Sequence, residues 1–148
     1  MGKASGISKS DIEARLRETR VARLATRDER GRPHVVPVCY AYDGNAFYTP
    51  LDRKPKKLGG ELARVRNIRA NPQVALLVDH YEEDWAGLWY ILIRGRGEIL
   101  SGGEERNKAV ELLRKKYPQY ASRELLPQDA TVIRIAPAKV VSWGGRAR

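Results

Sequence analysis

"RVARLATRDERGRPHVVPVCYAYDGNAFYTPL", residues 20–51, decides how this chain is read. It holds three strand-like runs, Arg20–Thr26, His34–Tyr42 and Ala46–Leu51, rich in β-branched, aromatic and alternating apolar residues. "DERGR" and "DGN" separate them. Side chains of a strand point to opposite faces in turn, and Gly, Asn and Asp supply the conformations of a tight turn. The pattern is an antiparallel meander. Pro37 interrupts the middle run. Without an N–H it cannot complete a central ladder, so this strand suits an edge, a bulge or a backbone that faces a ligand.

The flanks add helices and longer strands. Ser8–Arg17 reads as a short amphipathic helix, with Ser8 and Ser10 as candidate N-caps and Ile12 and Leu16 on its apolar face. Lys56–Asn71 reads as a second helix, with Leu58, Leu62, Val65 and Ile68 on one side and Pro72 as its stop. Glu104–Tyr117 reads as a third. "QVALLVDHY" is a buried strand, and "LWYILIRGRGEIL" a long strand in which Gly95 and Gly97 mark a bulge or a close backbone approach. "TVIRIAPAKVVSW" supplies the last strand, kinked at Pro137. Six mostly consecutive strands and three helices predict a mainly β fold: a small antiparallel barrel with peripheral helices. One domain, 1–148, is expected, with 1–7 and 144–148 disordered.

Composition narrows the function classes. The chain has 148 residues, a net charge of +10 and a single cysteine, Cys39. Such a field favours anionic partners without choosing among them. No apolar run approaches the roughly 20 residues that span a bilayer, and the N-terminus lacks the apolar core of a secretory signal. One cysteine and no signal fit a reducing compartment, so a cytoplasmic protein is expected, with neither membrane nor nucleic acid as partner. Aromatic and basic residues are not interleaved along one strand face, as single-strand binders require.

Catalytic equipment of the chain's own is thin. There is no dinucleotide or phosphate-loop glycine motif, no nucleophile elbow, and only two histidines, His34 and His80. "DHYEED", residues 79–84, lacks the ligand spacing of a calcium loop; it reads as a solvated loop, and no metal is assigned. His34 reads as a half-exposed strand residue with a proton-donor role as the alternative. Cys39 reads as a small core residue, and Trp85, Trp89 and Trp143 as packing anchors. An enzyme so equipped leaves the hard chemistry to a cofactor. "FYTPLDRKPKKLGG", residues 47–60, offers the Thr49 hydroxyl, the Arg53 fork, the charges of Lys54 and Lys57, and a helix start. Together these suit a phosphate, or equally a solvated basic loop.

The ordered series "ARLAT", turn glycine, "PHVVPV" and "FYT" resembles the pyridoxamine 5'-phosphate oxidase-like superfamily of FMN-binding split barrels. "LLVDHYEEDW" and "LWY" resemble the branch that uses the deazaflavin coenzyme F420. The likeness runs over nearly all of the chain after Thr19. It implies a six-stranded antiparallel split β-barrel and a homodimer with two cofactors at the subunit interface. It also implies that the tricyclic ring lies along Val36, Pro37 and Val38, and that Arg53 and Lys54 hold the phosphate with Thr49 and Lys57 in support. Asp52 stands where many relatives carry Ser, and the substrate residues of the oxidases themselves are not recognisable. The expected function is an F420-dependent oxidoreductase passing hydride between the reduced deazaflavin and a small organic substrate. The alternatives are an FMN-dependent oxidoreductase and a non-catalytic carrier of flavin or F420.

Overall fold

The structure is a computed structural model and describes residues 6–51 and 62–145. Three helices, α1 (Lys9–Glu18), α2 (Ala63–Ala70) and α3 (Glu104–Lys116), flank one curled antiparallel sheet. Its strands are β1 (Ala22–Arg27), β2 (Pro33–Val38), β3 (Ala41–Tyr42), β4 (Phe47–Pro50), β5 (Gln73–His80), β6 (Trp89–Leu100) and β7 (Val132–Gly144). They run in the order β2-β1-β5-β6-β7-β4-β3.

The middle run of the opening stretch explains both the barrel and the strand count. Residues 33–38 pair with β1 at one end of the sheet; residues 41–42 pair with β4 at the other. Only Cys39 and Tyr40 separate them, so one nearly continuous run joins both ends and closes the barrel. The expected single strand His34–Tyr42 is therefore two, giving seven strands rather than six among the described residues, because the ladder changes partner at Cys39–Tyr40. Tyr117 holds this junction. Its hydroxyl donates toward the Arg20 carbonyl at 2.8 Å and the Tyr40 carbonyl at 3.1 Å, and accepts the Tyr40 N–H at 3.1 Å. The simple meander is also corrected. The hairpin β3–β4 pairs onward with β7, and β1 with β5, so the curled sheet does not follow chain order.

Alternation along the strands fills the interior. Leu24, Phe47, Leu76, Ile91, Ile93, Ile133 and Ile135 form the main core, capped by Val65 and Ile68 of α2 and Leu16 of α1. A second cluster lies under α3, where Val110 and Leu113 meet Tyr48, Tyr120, Leu126 and Val132. Burying side chains of this size stabilises by about 1.5–3 kcal/mol each, offset by ordering entropy.

Local signals worked as read. Ser8 caps α1, accepting the Asp11 N–H at 3.2 Å. Gly44 takes φ 98° in the β3–β4 turn, where the Asp43 carboxylate accepts the N–H groups of Asn45 and Ala46, both at 2.8 Å. The bulge lies where Gly95 anticipated it. Arg94 pairs with Lys139 and Gly95 with Pro137, which leaves Ala138 over. A Cβ on Gly95 would collide with the Ala136 carbonyl oxygen, which is why the position is glycine.

Two boundaries change. Asn71 caps α2 rather than belonging to it, and residues 56–61 of the expected helix lie outside the described residues. At both described ends the chain is tied to the fold. Ile7 is buried and donates its N–H to Ser142 Oγ at 3.2 Å; Gly144 ends β7, and the Gly145 N–H reaches the Leu88 carbonyl at 2.9 Å.

Candidate functional site

The site grows from the β1–β2 hairpin. Asp28 organises its turn: Oδ1 accepts the N–H groups of Arg30 and Arg32 at 2.9 Å, and Oδ2 pairs with Arg32 Nε at 2.7 Å. Gly31, at φ 80°, lets the chain reverse. The backbone and side-chain bonds to Arg32 hold the Asp28 carboxyl below its ordinary range. The turn therefore holds the Arg32 side chain in place.

Across from the turn lies α2. Asn67 Nδ2 donates to the buried Thr26 hydroxyl at 2.9 Å, tying the helix to β1. Thr26 faces His34 in the ladder. Between turn, β2 and α2 opens a cleft of about 850 Å³, lined by Arg30, Arg32, His34, Arg66, Asn67 and Arg69, with Asp28, Glu29, Pro33, Ala63 and Ala70 at its walls. The size is that of a small-molecule site. His34 Nδ1 is buried there with no hydrogen-bond partner among the described residues.

β2 leads out of this cleft along the end of the sheet. Val36 and Val38 turn toward the barrel core, while Pro37 and Val35 face outward, Val35 at 60% exposure. Pro37 therefore stands at a sheet end, one of the places its missing N–H allows. Thr49 lies on β4 opposite Ile133 and is only 1% exposed, yet its hydroxyl has no hydrogen-bond partner among the described residues. Of the expected cofactor residues, Val36, Pro37, Val38 and Thr49 are placed in this way. Arg53, Lys54 and Lys57 lie outside the described residues. His34 borders the cleft, whereas Thr49 is not part of its lining.

The outer sheet face carries an apolar stripe interrupted by charge. Pro37, Arg23, Leu77, Leu92 and Val141 align in register, and the neighbouring row holds Asp79, Tyr90 and Trp143. Arg23 pairs with Asp79 at 3.1 Å, and Tyr90 stacks on Trp143. Trp85 reaches 69% exposure, so it is no core anchor in the single chain. Trp89 lies half-buried between the Arg15 guanidinium, 4.8 Å away, and the His80 ring. The "DHYEED" carboxylates are used locally: Glu82 pairs with His80 at 2.7 Å and Asp84 accepts the Ala86 N–H at 3.1 Å. Among the described residues no group of His, Cys, Asp and Glu could hold a metal ion.

A model of the family described as pyridoxamine 5'-phosphate oxidase matches residues 8–144. The chain belongs to that family. Membership makes it an oxidoreductase with a flavin-type cofactor; it does not by itself name the cofactor. A curated relative from Streptomyces rimosus subsp. rimosus, a 5a,11a-dehydrotetracycline/5a,11a-dehydrooxytetracycline reductase, is 31% identical over 134 residues, 87% of this chain and 78% of the relative. A solved FAD-binding protein from Mesorhizobium loti is 26% identical with a TM-score of 0.68, covering 95% of this chain and 97% of that one. A solved F420 reductase shares the fold at 24% identity and TM-score 0.63, covering 87% of this chain and 94% of that one. No helix among the described residues is long and apolar enough to cross a membrane.

Sequence reasoning missed the cleft itself. "DERGR" was legible as a turn, but nothing in it says that Arg30 and Arg32 face α2 across a gap. The missed signal was two arginines flanking the turn glycine, directly before the ligand-suited strand. Lys116 also went unremarked. Its Nζ lies 3.9 Å from the centre of the Tyr40 ring, with no hydrogen-bond partner among the described residues. Burial, reinforced by Arg20 and opposed by Cys39, pulls it down to about 8.

Proposed function

We propose that this chain is a homodimeric reductase that uses bound coenzyme F420 to reduce a small conjugated organic substrate, with FMN as the alternative occupant of the same seat. The carrying observation is β2: a strand at the end of the sheet, interrupted by Pro37, whose first residues border an arginine-lined cleft. Val36, Pro37 and Val38 would flank the tricyclic ring. Arg53, Lys54 and Lys57 would hold its phosphate, and the Thr49 hydroxyl would donate to it. Bound, such a cofactor supplies a two-electron hydride donor.

The chain's own part is binding, orientation and exclusion of water, which agrees with its shortage of acid–base groups. Covering the apolar outer face with a second copy would bury Val35, Leu92, Val141 and Trp143 and wall in the ring. The reductase named among the relatives supports reduction of a conjugated substrate. Reading the cofactor as F420 rests on the branch resemblance and on the surplus of positive charge. A carrier without turnover would use the same residues.

Visible absorption of the purified protein before and after adding each cofactor, followed by anaerobic mixing with a conjugated enone, tests the reading. A bound deazaflavin spectrum that bleaches or recovers on adding substrate supports it. A flavin spectrum moves the protein to the FMN alternative. A spectrum that never changes leaves a carrier, and no binding at all refutes both. Lys54→Ala should weaken cofactor binding by about 1.5–3 kcal/mol, the range for a charge-assisted hydrogen bond.

A further inference from the structure

We propose that Lys116 is a modification site, whose buried amine captures carbon dioxide as a carbamate and so ties α3 to α1 beside the closure of the barrel. The inference is independent of the cofactor reading and starts from the last residue of α3. Lys116 Nζ is buried with no hydrogen-bond partner among the described residues. It lies 3.9 Å from the centre of the Tyr40 ring and 5.4 Å from that of Tyr117, the two tyrosines bonded to each other at the junction.

An ammonium is poorly served here. Its three N–H donors go unused, and its charged neighbours are mostly cations. With Arg17, Lys115, Ala41, Tyr42 and Leu112 it lines a cavity of about 180 Å³, and Arg20 lies over the Tyr117 ring at 4.7 Å. None of the ion pairs among the described residues uses Arg20, Lys115 or Lys116. The Glu13 carboxylate is already held by the Tyr42 hydroxyl at 2.8 Å and by Arg17 at 3.8 Å. Burial keeps Tyr40, Tyr42 and Tyr117 neutral, and Cys39 completes the titratable groups around the amine. Burial, helped by Arg20 and opposed by Cys39, brings the amine down to about 8, so free base is present at neutral and mildly alkaline pH.

Carbon dioxide suits such an amine. It is small, linear and uncharged, so it enters packing that a hydrated ion would have to shed water to reach. The lone pair of neutral Nζ attacks its carbon. A C–N bond forms, one C=O electron pair moves onto oxygen, and the nitrogen gives one proton to water. Nothing is oxidised or reduced, and the product is an anion. The negative face of the Tyr40 ring repels it, so the carbamate swings off the ring into the cavity, toward Arg17 and Lys115. The C-terminal end of α3 disfavours negative charge, but Arg17, Arg20 and Lys115 outweigh it. Arg17 belongs to α1 and Lys115 to α3, so one carbamate links both helices.

The test equilibrates the purified protein with isotope-labelled bicarbonate at pH 7, 8 and 9 and traps carbamates with triethyloxonium, which converts them to stable ethyl esters. Peptide mapping should find the label on Lys116 about tenfold above the exposed Lys108, rising with pH at fixed dissolved carbon dioxide. A carbon-13 resonance distinct from bicarbonate reads the same event without a trapping reagent, and Lys116→Arg, which keeps the charge and removes the nucleophile, should abolish it. Bicarbonate should also raise the wild-type melting temperature by a few degrees over chloride at equal pH and ionic strength, because only the folded chain gathers cations around the product. Lys116→Arg and Lys116→Met should show no such rise. Label spread evenly over the lysines, absence of both trapped label and resonance, or a melting shift that survives in Lys116→Arg overturns the inference.

Discussion

Lys116→Met gives the sharpest test of the packing around the barrel junction. The ammonium at Nζ is buried over Tyr40, with Arg20 nearby and Arg17 and Lys115 lining the same small cavity. Cys39, Tyr40, Tyr42 and Tyr117 complete its surroundings, and Glu13 reaches it only through Tyr42. The folded chain therefore releases this proton near pH 8, whereas the unfolded chain keeps it to about 10.5. Between those values the unfolded state binds more protons, so stability rises with pH across the window; below pH 8 the cost of burying the cation is carried in full.

At 1.36 kcal/mol per pH unit the gap corresponds to at most about 3.4 kcal/mol. Lys116 is only half-buried and water screens part of this, so about 1.5 kcal/mol is the working figure. Methionine keeps the aliphatic stem on Tyr40 and removes the charge. Urea unfolding of both proteins at pH 7, 8, 9 and 10 should show the wild type gaining about 1.5 kcal/mol on the variant, or roughly 3–6 °C in melting temperature. Other lysines and the tyrosines cancel in the difference. The cation–π contact, worth about 0.5–2 kcal/mol, shifts its offset at low pH rather than abolishing its slope. Parallel curves from pH 7 to 10, or a difference that shrinks with pH, would refute the reasoning.

Gly95→Ala should cost about 2–3 kcal/mol in urea unfolding, since its Cβ meets the Ala136 carbonyl across the bulge rather than a side chain that could yield. Tyr117→Phe strips the junction of its hydroxyl and leaves the Tyr40 N–H and the Arg20 carbonyl unanswered, a loss of about 1–3 kcal/mol that hydrogen exchange should localise to residues 38–41. Leu92→Asp on the outer face should convert the proposed dimer to monomer in light scattering and weaken cofactor binding with it, while the monomer keeps its circular dichroism.

What the sequence revealed was local. Ser8 as a cap, the Asp43–Gly44 turn and the Gly95 bulge each depend on a few neighbouring residues, and each was readable from them. The strand alternation was equally legible, because one face of every strand meets the core. Partner choice was not. That β4 pairs with β7, eighty residues on, follows from closing the barrel, and no short window carries that information. For the same reason the arginines of the turn and of α2 could not be joined into one cleft. Pro37 and Thr49 were singled out from the residues and Val36 and Val38 from likeness to a family, and the structure adds how each is set: Val36 and Val38 inward, Pro37 outward, Thr49 buried with an unanswered hydroxyl.

The strand run at residues 33–42 is made early in synthesis, yet its second half can pair only through β4, and β4 finds its other neighbour in β7, the last strand. A nascent chain lacking β7 holds the β3–β4 hairpin without its further partner, and two-stranded ribbons are marginal in water. Closure therefore waits until the C-terminal strand has left the ribosome, and its long-range pairing makes this a slow step. Until then the strand on which the cofactor ring is proposed to lie has no finished barrel behind it. A cofactor meeting the growing chain before then would find no seat, so loading is expected to follow the pairing of β7, and a chain cut short before Val132 would be a target for proteolysis.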